Sequence, residues 1–187
     1  MNAGVLLLAA GLSRRFGGDK RFARLPDGGT VLVRCIEHIQ AAGLPLVACL
    51  RPQDEPGQRC LAELGVALQL CPGASDGMGT TLAQGIVAAQ DWDAALVALA
   101  DMPFVSAATF RAVAAAAGPE HIAVPFCEGR HGHPVAVGAR YFGELAALSG
   151  DAGARELLAR HADRVRALPL VDRGIWRDID RPADLPR

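Results

Sequence analysis

The sequence predicts a doubly wound α/β fold, with helices packed on a mainly parallel sheet and a single domain spanning residues 1–187. Three observations predict it. Short apolar runs alternate with amphipathic stretches along the whole chain. The composition is 51% hydrophobic and only 21% charged, so the chain is globular, with Ala, Val and Leu rather than aromatics (5%) filling the interior. At 187 residues it is long enough to bury one real core.

Taken in order, Val5–Leu8 reads as a short buried strand. Leu25-Pro26-Asp27-Gly28-Gly29 reads as a tight turn. Thr30 can cap a helix over Val31–Ala42 that places Leu32, Ile36 and Ile39 on one face and stops at Gly43. Strands are expected at Leu46–Leu50 and Ala67–Leu70 around a helix at Gly57–Leu64. A helix at Gly79–Ala89 precedes the apolar strand Ala94–Leu99. Ser106 can cap Ala107–Ala117, which ends at Gly118-Pro119. Strands follow at Ile122–Val124 and Val135–Val137, then a helix at Ala154–His161 after the Gly150–Gly153 loop, and a strand at Val165–Leu168. Ligands of such sheets sit beyond the carboxyl ends of the strands, so the loops after Leu8, Leu70, Leu99 and Val124 are the ones to inspect.

Nineteen basic and twenty acidic residues give a net charge of −1, which argues against broad nucleic-acid binding. Five cysteines, an odd number with no Cys-x-x-Cys pair, argue for reduced thiols rather than a disulfide framework. No basic segment precedes the first apolar run, and that run is too short to span a bilayer; a soluble, cytoplasmic protein with no membrane partner is expected.

The first loop, Leu8-Ala9-Ala10-Gly11-Leu12-Ser13-Arg14-Arg15-Phe16-Gly17-Gly18-Asp19-Lys20, carries the strongest chemistry. Small residues let backbone N–H groups approach phosphate oxygens, and Arg15 and Lys20 supply charge beyond their reach. It is neither a Walker A loop nor a Gly-x-Gly-x-x-Gly fingerprint, which disfavours a nicotinamide dehydrogenase; a solvated surface loop is the plain alternative. Asp101 ends an apolar strand just before Pro103, where a hard oxygen ligand suits Mg²⁺; it can equally cap the backbone near Ser106. Asp178 and Asp180 flank Ile179 and share one side if extended, so either can be a second carboxylate, or Asp180 caps a short terminal helix. Ser75–Leu82 is a glycine-rich turn into a helix whose free N–H groups can hold a base edge, a ribose or an anion, or are capped by Asp76, Thr80 or Thr81. In His131-Gly132-His133-Pro134, a phosphate donor or a turn histidine is a better fit than zinc, which has only Cys127 nearby. Arg155 and the helix it opens are another possible anion contact, with Asp151 as an ordinary cap.

Six segments occur in order over nearly the whole chain: Leu8-Ala9-Ala10-Gly11-x-Ser13-x-Arg15-x-Gly17 with Lys20, Gly77-Met78-Gly79, Leu99-Ala100-Asp101-Met102-Pro103, Gly132-His133-Pro134, Gly150-Asp151-x-Gly153-Ala154-Arg155 and Asp178-Ile179-Asp180-x-Pro182. Together they resemble the molybdenum cofactor nucleotidyltransferases, and Ala10 is similar to the cytidylyltransferase branch, whereas the guanylyl branch usually has a second glycine there. Phe16 departs from the methionine of many relatives. The resemblance implies a three-layer α/β/α sandwich of the nucleotide-diphospho-sugar transferase type. It implies Mg²⁺-dependent transfer of CMP from CTP to the terminal phosphate of molybdopterin, with release of pyrophosphate. It assigns Lys20, Arg15 and Asp101 to catalysis and Asp101 and Asp180 to the metal. Leu8, Ala9, Ala10, Gly11, Ser13, Arg15, Lys20, Gly77, Met78, Gly79 and Thr80 fall to the nucleotide, and His133, Asp151 and Arg155 to the acceptor side. An apo molybdoenzyme of the xanthine dehydrogenase type is an implied partner. Alternatives are GTP as donor, a sugar phosphate or other phosphorylated acceptor, and a non-catalytic carrier of the cofactor.

Overall fold

Strand β1 (Ala3–Leu8) is apolar on both sides, and the sheet is built outward from it. The structure, a computed structural model, describes residues 1–151 and 153–186; Ala152, inside the expected Gly150–Gly153 loop, and Arg187 lie outside the described residues. The further strands are β2 (Leu46–Leu50), β3 (Ala67–Leu70), β4 (Ala94–Leu99), β5 (Ile122–Cys127), β6 (Arg130–His131), β7 (Val135–Gly138) and β8 (Val165–Pro169). Among the described residues they form one sheet in the order β3-β2-β1-β4-β7-β5-β6, with β8 parallel to β5. β1 pairs in parallel with β2 and with β4, from Ala3↔Ala94 to Leu8↔Leu99. β7 is antiparallel to both β4 and β5, and the short β6 is antiparallel to β5.

Helices cover both faces. Val5, Leu7 and Ala9 point to one side, where α1 (Val31–Ala41), α2 (Glu55–Glu63) and α4 (Ala107–Ala116) deliver Leu32, Ile36, Ile39, Leu61, Phe110 and Val113. Leu6, Leu8 and Ala10 point to the other, against Leu82 of α3 (Met78–Gly85), Phe142 and Leu145 of α5 (Phe142–Ala146) and Leu157 of α6 (Arg155–Arg160). The period-two alternation of β1 therefore feeds two separate cores, and the α/β/α sandwich follows from it.

Several expectations need correction. Thr30 stands at the N-cap of α1, but its side chain makes no capping bond and its buried hydroxyl has no partner. The helix expected from Gly57 starts earlier, at Glu55, because Asp54 accepts the Gly57 N–H at 3.1 Å. The helix expected over Gly79–Ala89 is α-helical only from Met78 to Gly85 and tightens to 3₁₀ geometry over Ile86–Ala89. β5 runs on through Pro125 to Cys127, the two-residue β6 returns from it, and α5 has no counterpart in the sequence reading. Ser106 caps α4 as expected, accepting the Thr109 N–H at 3.2 Å, and the Leu25–Gly29 turn closes through Gly28 N–H to Leu25 O at 2.9 Å.

The last segment is sewn back onto the sheet. The Gly132 N–H donates to Pro125 O and the His133 N–H to Ile175 O at 2.7 Å, and a side chain at Gly132 would have its Cβ 2.0 Å from the Ile175 oxygen. Gly132→Ala must push that carbonyl away and lose the His133 bond. We expect it to lower stability by about 1–3 kcal/mol, measured by urea unfolding.

Candidate active site

The equal length of β1 and β4 starts two loops side by side at the sheet's carboxyl edge. The loop after β1 turns at Ser13, whose φ of +49° is left-handed, and comes back so that the Ser13 hydroxyl accepts the Lys20 N–H at 3.3 Å. Asp19 caps the 3₁₀ turn Lys20–Phe22. From that turn Lys20 Nζ reaches Asp101 Oδ2 at 2.6 Å and lies 3.6 Å from Asp180 Oδ1. Arg15 Nη1 donates to Asp180 Oδ2 at 2.9 Å. Four residues from three distant segments thus form one chain of alternating charge.

Asp180 is delivered by the terminal segment. The Ile179 N–H donates to Asp101 O at 2.8 Å, and the Ile179 side chain is fully buried against Leu25 and Val31, so Asp178 and Asp180 both face outward into the cleft. Asp184, not Asp180, takes the capping role at the terminal turn, accepting the Asp180 and Arg181 N–H groups. Asp101 does not cap near Ser106 either; Asp172 accepts the Ser106 N–H there at 2.9 Å. The hydrogen bond from Arg15 and the charge of Lys20 hold Asp180 below the usual carboxylate range.

These groups lie on the wall of a cleft of about 540 Å³. Of the residues expected around the nucleotide, Leu8, Ala10, Gly11, Ser13, Arg15, Lys20, Gly77 and Met78 line it, as do Asp101, Asp151 and Asp180. Others do not reach it. Ala9 turns its carbonyl to Arg21. The Gly79 and Thr80 N–H groups are not free: both donate to Gly150 O, at 2.8 and 3.3 Å, and the Thr80 hydroxyl accepts the Gly150 N–H. The first turn of α3 is therefore docked onto the Gly150 loop, which corrects the expectation of open donors there. Arg155 is exposed on α6, away from the cleft wall. His133 sits behind the wall. Its Nδ1 is 3.3 Å from Val97 O, which can only accept, so Nδ1 carries the proton; burial lowers its pKa against that bond and the nearby Asp101 and Asp178 charges. His131 packs against the Phe126 ring, and among the described residues no cluster of three or more metal-ligating side chains is found.

Sequence reading missed three things. Asp76, read only as a cap, lines the cleft; with Asp178, anticipated beside Asp180, it brings the cleft to five carboxylates (Asp76, Asp101, Asp151, Asp178, Asp180) against three cations (Arg14, Arg15, Lys20). Lys20 is the chain's sole lysine among eighteen arginines, a signal visible in the sequence alone. Arg21, only 3% exposed, is bound by Asp19, Asp54 and the Ala9 carbonyl.

The donor set fits a hard divalent cation. Asp101 Oδ1 is buried and has no hydrogen-bond partner, Asp180 stands across the same ammonium, and both offer only oxygen. Mg²⁺ characteristically takes one or two carboxylates and completes its shell with water and substrate phosphates, so two protein ligands suffice.

The sequence matches the family described as the MobA-like NTP transferase domain over residues 5–165. No curated protein is a significant match. Among solved structures it is similar to Rv0371c from Mycobacterium tuberculosis H37Rv, at 25% identity over 98% of this chain and 95% of that one, with a TM-score of 0.85. A complex of that protein with manganese superposes with a TM-score of 0.80, at 25% identity over 98% and 96% of the two chains. The fold is shared with a nucleotidyl transferase from Methanothermobacter (21% identity, 98% and 94% covered, TM-score 0.84). It is also shared with the molybdopterin-guanine dinucleotide biosynthesis protein A of Archaeoglobus fulgidus (18%, 97% and 94%, TM-score 0.68). No helix among the described residues is long and apolar enough to cross a membrane.

The terminal segment that carries the two cleft aspartates is held by Asp172, which accepts from Ser106 N–H, Thr109 Oγ1 (2.6 Å) and Gly174 N–H (2.8 Å). Partial burial pushes its pKa up, but these donors outweigh it and leave the carboxyl below its ordinary value. The stabilisation is therefore complete above the unfolded-state pKa, near 4, and disappears as pH falls through the lower folded value. Asp172→Asn should cost about 1–2 kcal/mol at pH 7, and its difference from wild type should shrink as pH falls below about 4; urea unfolding at pH 7 and across the acid range measures this.

Proposed function

The chain belongs to the MobA-like NTP transferase domain family and is a nucleotidyltransferase of that type; from this premise we propose that it joins CMP from CTP to the terminal phosphate of molybdopterin, releasing pyrophosphate. The observation that carries the reading is the meeting of Lys20, Asp101 and Asp180 at the carboxyl edge of β1 and β4. Ala10 in the first loop favours cytidine. The likeness to the Archaeoglobus protein, whose name specifies molybdopterin, supports that acceptor.

The chemistry follows from charge. An acceptor phosphate monoester is already anionic near neutral pH, so its oxygen attacks the α-phosphorus without a dedicated base. The bond between that phosphorus and the bridging oxygen of the β-phosphate breaks, and the electron pair leaves on pyrophosphate. What the protein must supply is alignment and countercharge for two anions and a leaving group. A cleft with five carboxylates and three cations cannot by itself favour a triphosphate. Asp101 and Asp180 would hold Mg²⁺, which when bound supplies that missing positive charge and polarises phosphate oxygens. Lys20 and Arg15, neutralised by the same aspartates in the free protein, then turn to the phosphates. Lys20 presents a compact point charge at a position only 13% exposed, a geometry that a broad planar guanidinium does not reproduce.

Pyrophosphate release measured with each NTP and molybdopterin tests the reading: turnover is expected with CTP, dependent on Mg²⁺ and abolished by chelation. Turnover with GTP alone would move the enzyme to guanylyl transfer, and turnover with only a sugar phosphate would change the acceptor. Asp101→Asn and Lys20→Ala should each reduce kcat by roughly 10²-fold or more, the size of a lost electrostatic group. Lys20→Arg should fail to restore it despite keeping the charge.

A further inference from the structure

We propose that Arg21 is a positioning residue for Lys20, holding the turn from which that ammonium reaches Asp101; the proposal rests on Lys20 being the group that meets the triphosphate. Lys20 and Arg21 are consecutive in one 3₁₀ turn, but their side chains take different partners. Lys20 enters the cleft, whereas Arg21 passes beneath it. Its Nε and Nη2 donate to Asp19 at 2.9 and 2.5 Å, and its Nη1 to Ala9 O at 2.7 Å and to Asp54. The guanidinium thus ties the turn to two rigid bodies. Ala9 is fixed by its own N–H to Cys49 O at 3.0 Å, and Asp54 is the cap of α2.

Burial opposes a charge at Arg21, but the hydrogen bonds and charges of Asp19 and Asp54 outweigh it and raise the guanidinium further above its ordinary value. The residue therefore stays ionised and its three attachments persist. The downstream side of the turn is fixed independently, by the Val31 N–H donating to Ala23 O at 3.2 Å. Upstream, the loop has the Ser13–Lys20 bond and the Phe16 N–H to Ser13 O turn, so the attachment to the sheet falls to Arg21. Lys20, Arg21 and Asp101 together line a small depression of about 40 Å³ beside the turn. A lysine at 21 cannot replace it, because one ammonium cannot span a fan of three acceptors built for a planar fork.

The test uses the single lysine. Selective ¹⁵N-lysine labelling of the full chain gives one backbone amide signal, from Lys20, whose hydrogen exchange reports the order of the turn without reference to activity. Two variants are compared with wild type: Arg21→Lys, which keeps the charge, and Arg21→Met combined with Asp54→Asn, so that no unpaired carboxylate is left buried. Both should show Lys20 exchange faster by about tenfold or more and kcat lower by roughly 10- to 100-fold, with the acceptor KM changed less than about twofold. If either folded variant keeps wild-type Lys20 protection and wild-type kcat, the proposal is overturned. If the double variant does not fold, Arg21→Lys alone decides between these outcomes. Full turnover in Lys20→Ala would instead overturn the reading of the cleft, while the exchange of Lys20 would still decide whether Arg21 orders it.

Discussion

The parallel pairing of β1 with β4 is the constraint on which the rest of the site depends. Six residue pairs, ending at Leu8↔Leu99, bring the two strands to the edge of the sheet at the same level. The loop that carries Lys20 and the loop that carries Asp101 begin as neighbours, so an ion pair between residues 81 positions apart needs no long excursion of either chain. The antiparallel β7 adds a third approach. It starts at Val135 beside Val97, so the segment before it returns to that edge from the opposite direction and receives the terminal residues through His133 and Ile175.

The charge balance of the cleft is organised as exchange rather than as excess. In the free protein two of the three cleft cations lie on carboxylates: Arg15 on Asp180, and Lys20 between Asp180 and Asp101. These pairs are partly or largely exposed and contribute little to stability. Their role is to keep groups of opposite sign within reach of each other until a nucleotide and its counterion arrive together. The Arg21 cluster behind them is of the other kind: the guanidinium and Asp54 are buried, Asp19 is part-exposed, and the acceptors come from the end of β1, the turn and the cap of α2.

Much of this was legible in the residues. Alternating apolar runs marked the parallel strands, and the position of Asp101 after such a run and before Pro103 marked the edge where chemistry gathers. The spacing of Asp178 and Asp180 around Ile179 indicated a shared side, which the burial of Ile179 enforces. What could not be read depends on partners distant in sequence. Arg21 carried no signal in the sequence because Asp54 lies thirty-three residues away. Thr80 and Gly79 looked like open donors because the carbonyl that occupies them belongs to Gly150. The strand β6 is two residues long, too short for any periodicity to announce it, and α5 offers barely more than a single turn.

The burial of Ile179 between two outward aspartates has a consequence for how this segment can vary. In extended backbone, inside and outside alternate with every residue. Removing one residue from the stretch, or adding one, would invert the pattern, sending a carboxylate into the apolar seat now filled by Ile179 and an isoleucine into water. The segment is therefore governed by parity: changes in its length are tolerable in steps of two, and a single-residue slip would cost the fold an anchor and the cleft an anion at the same stroke.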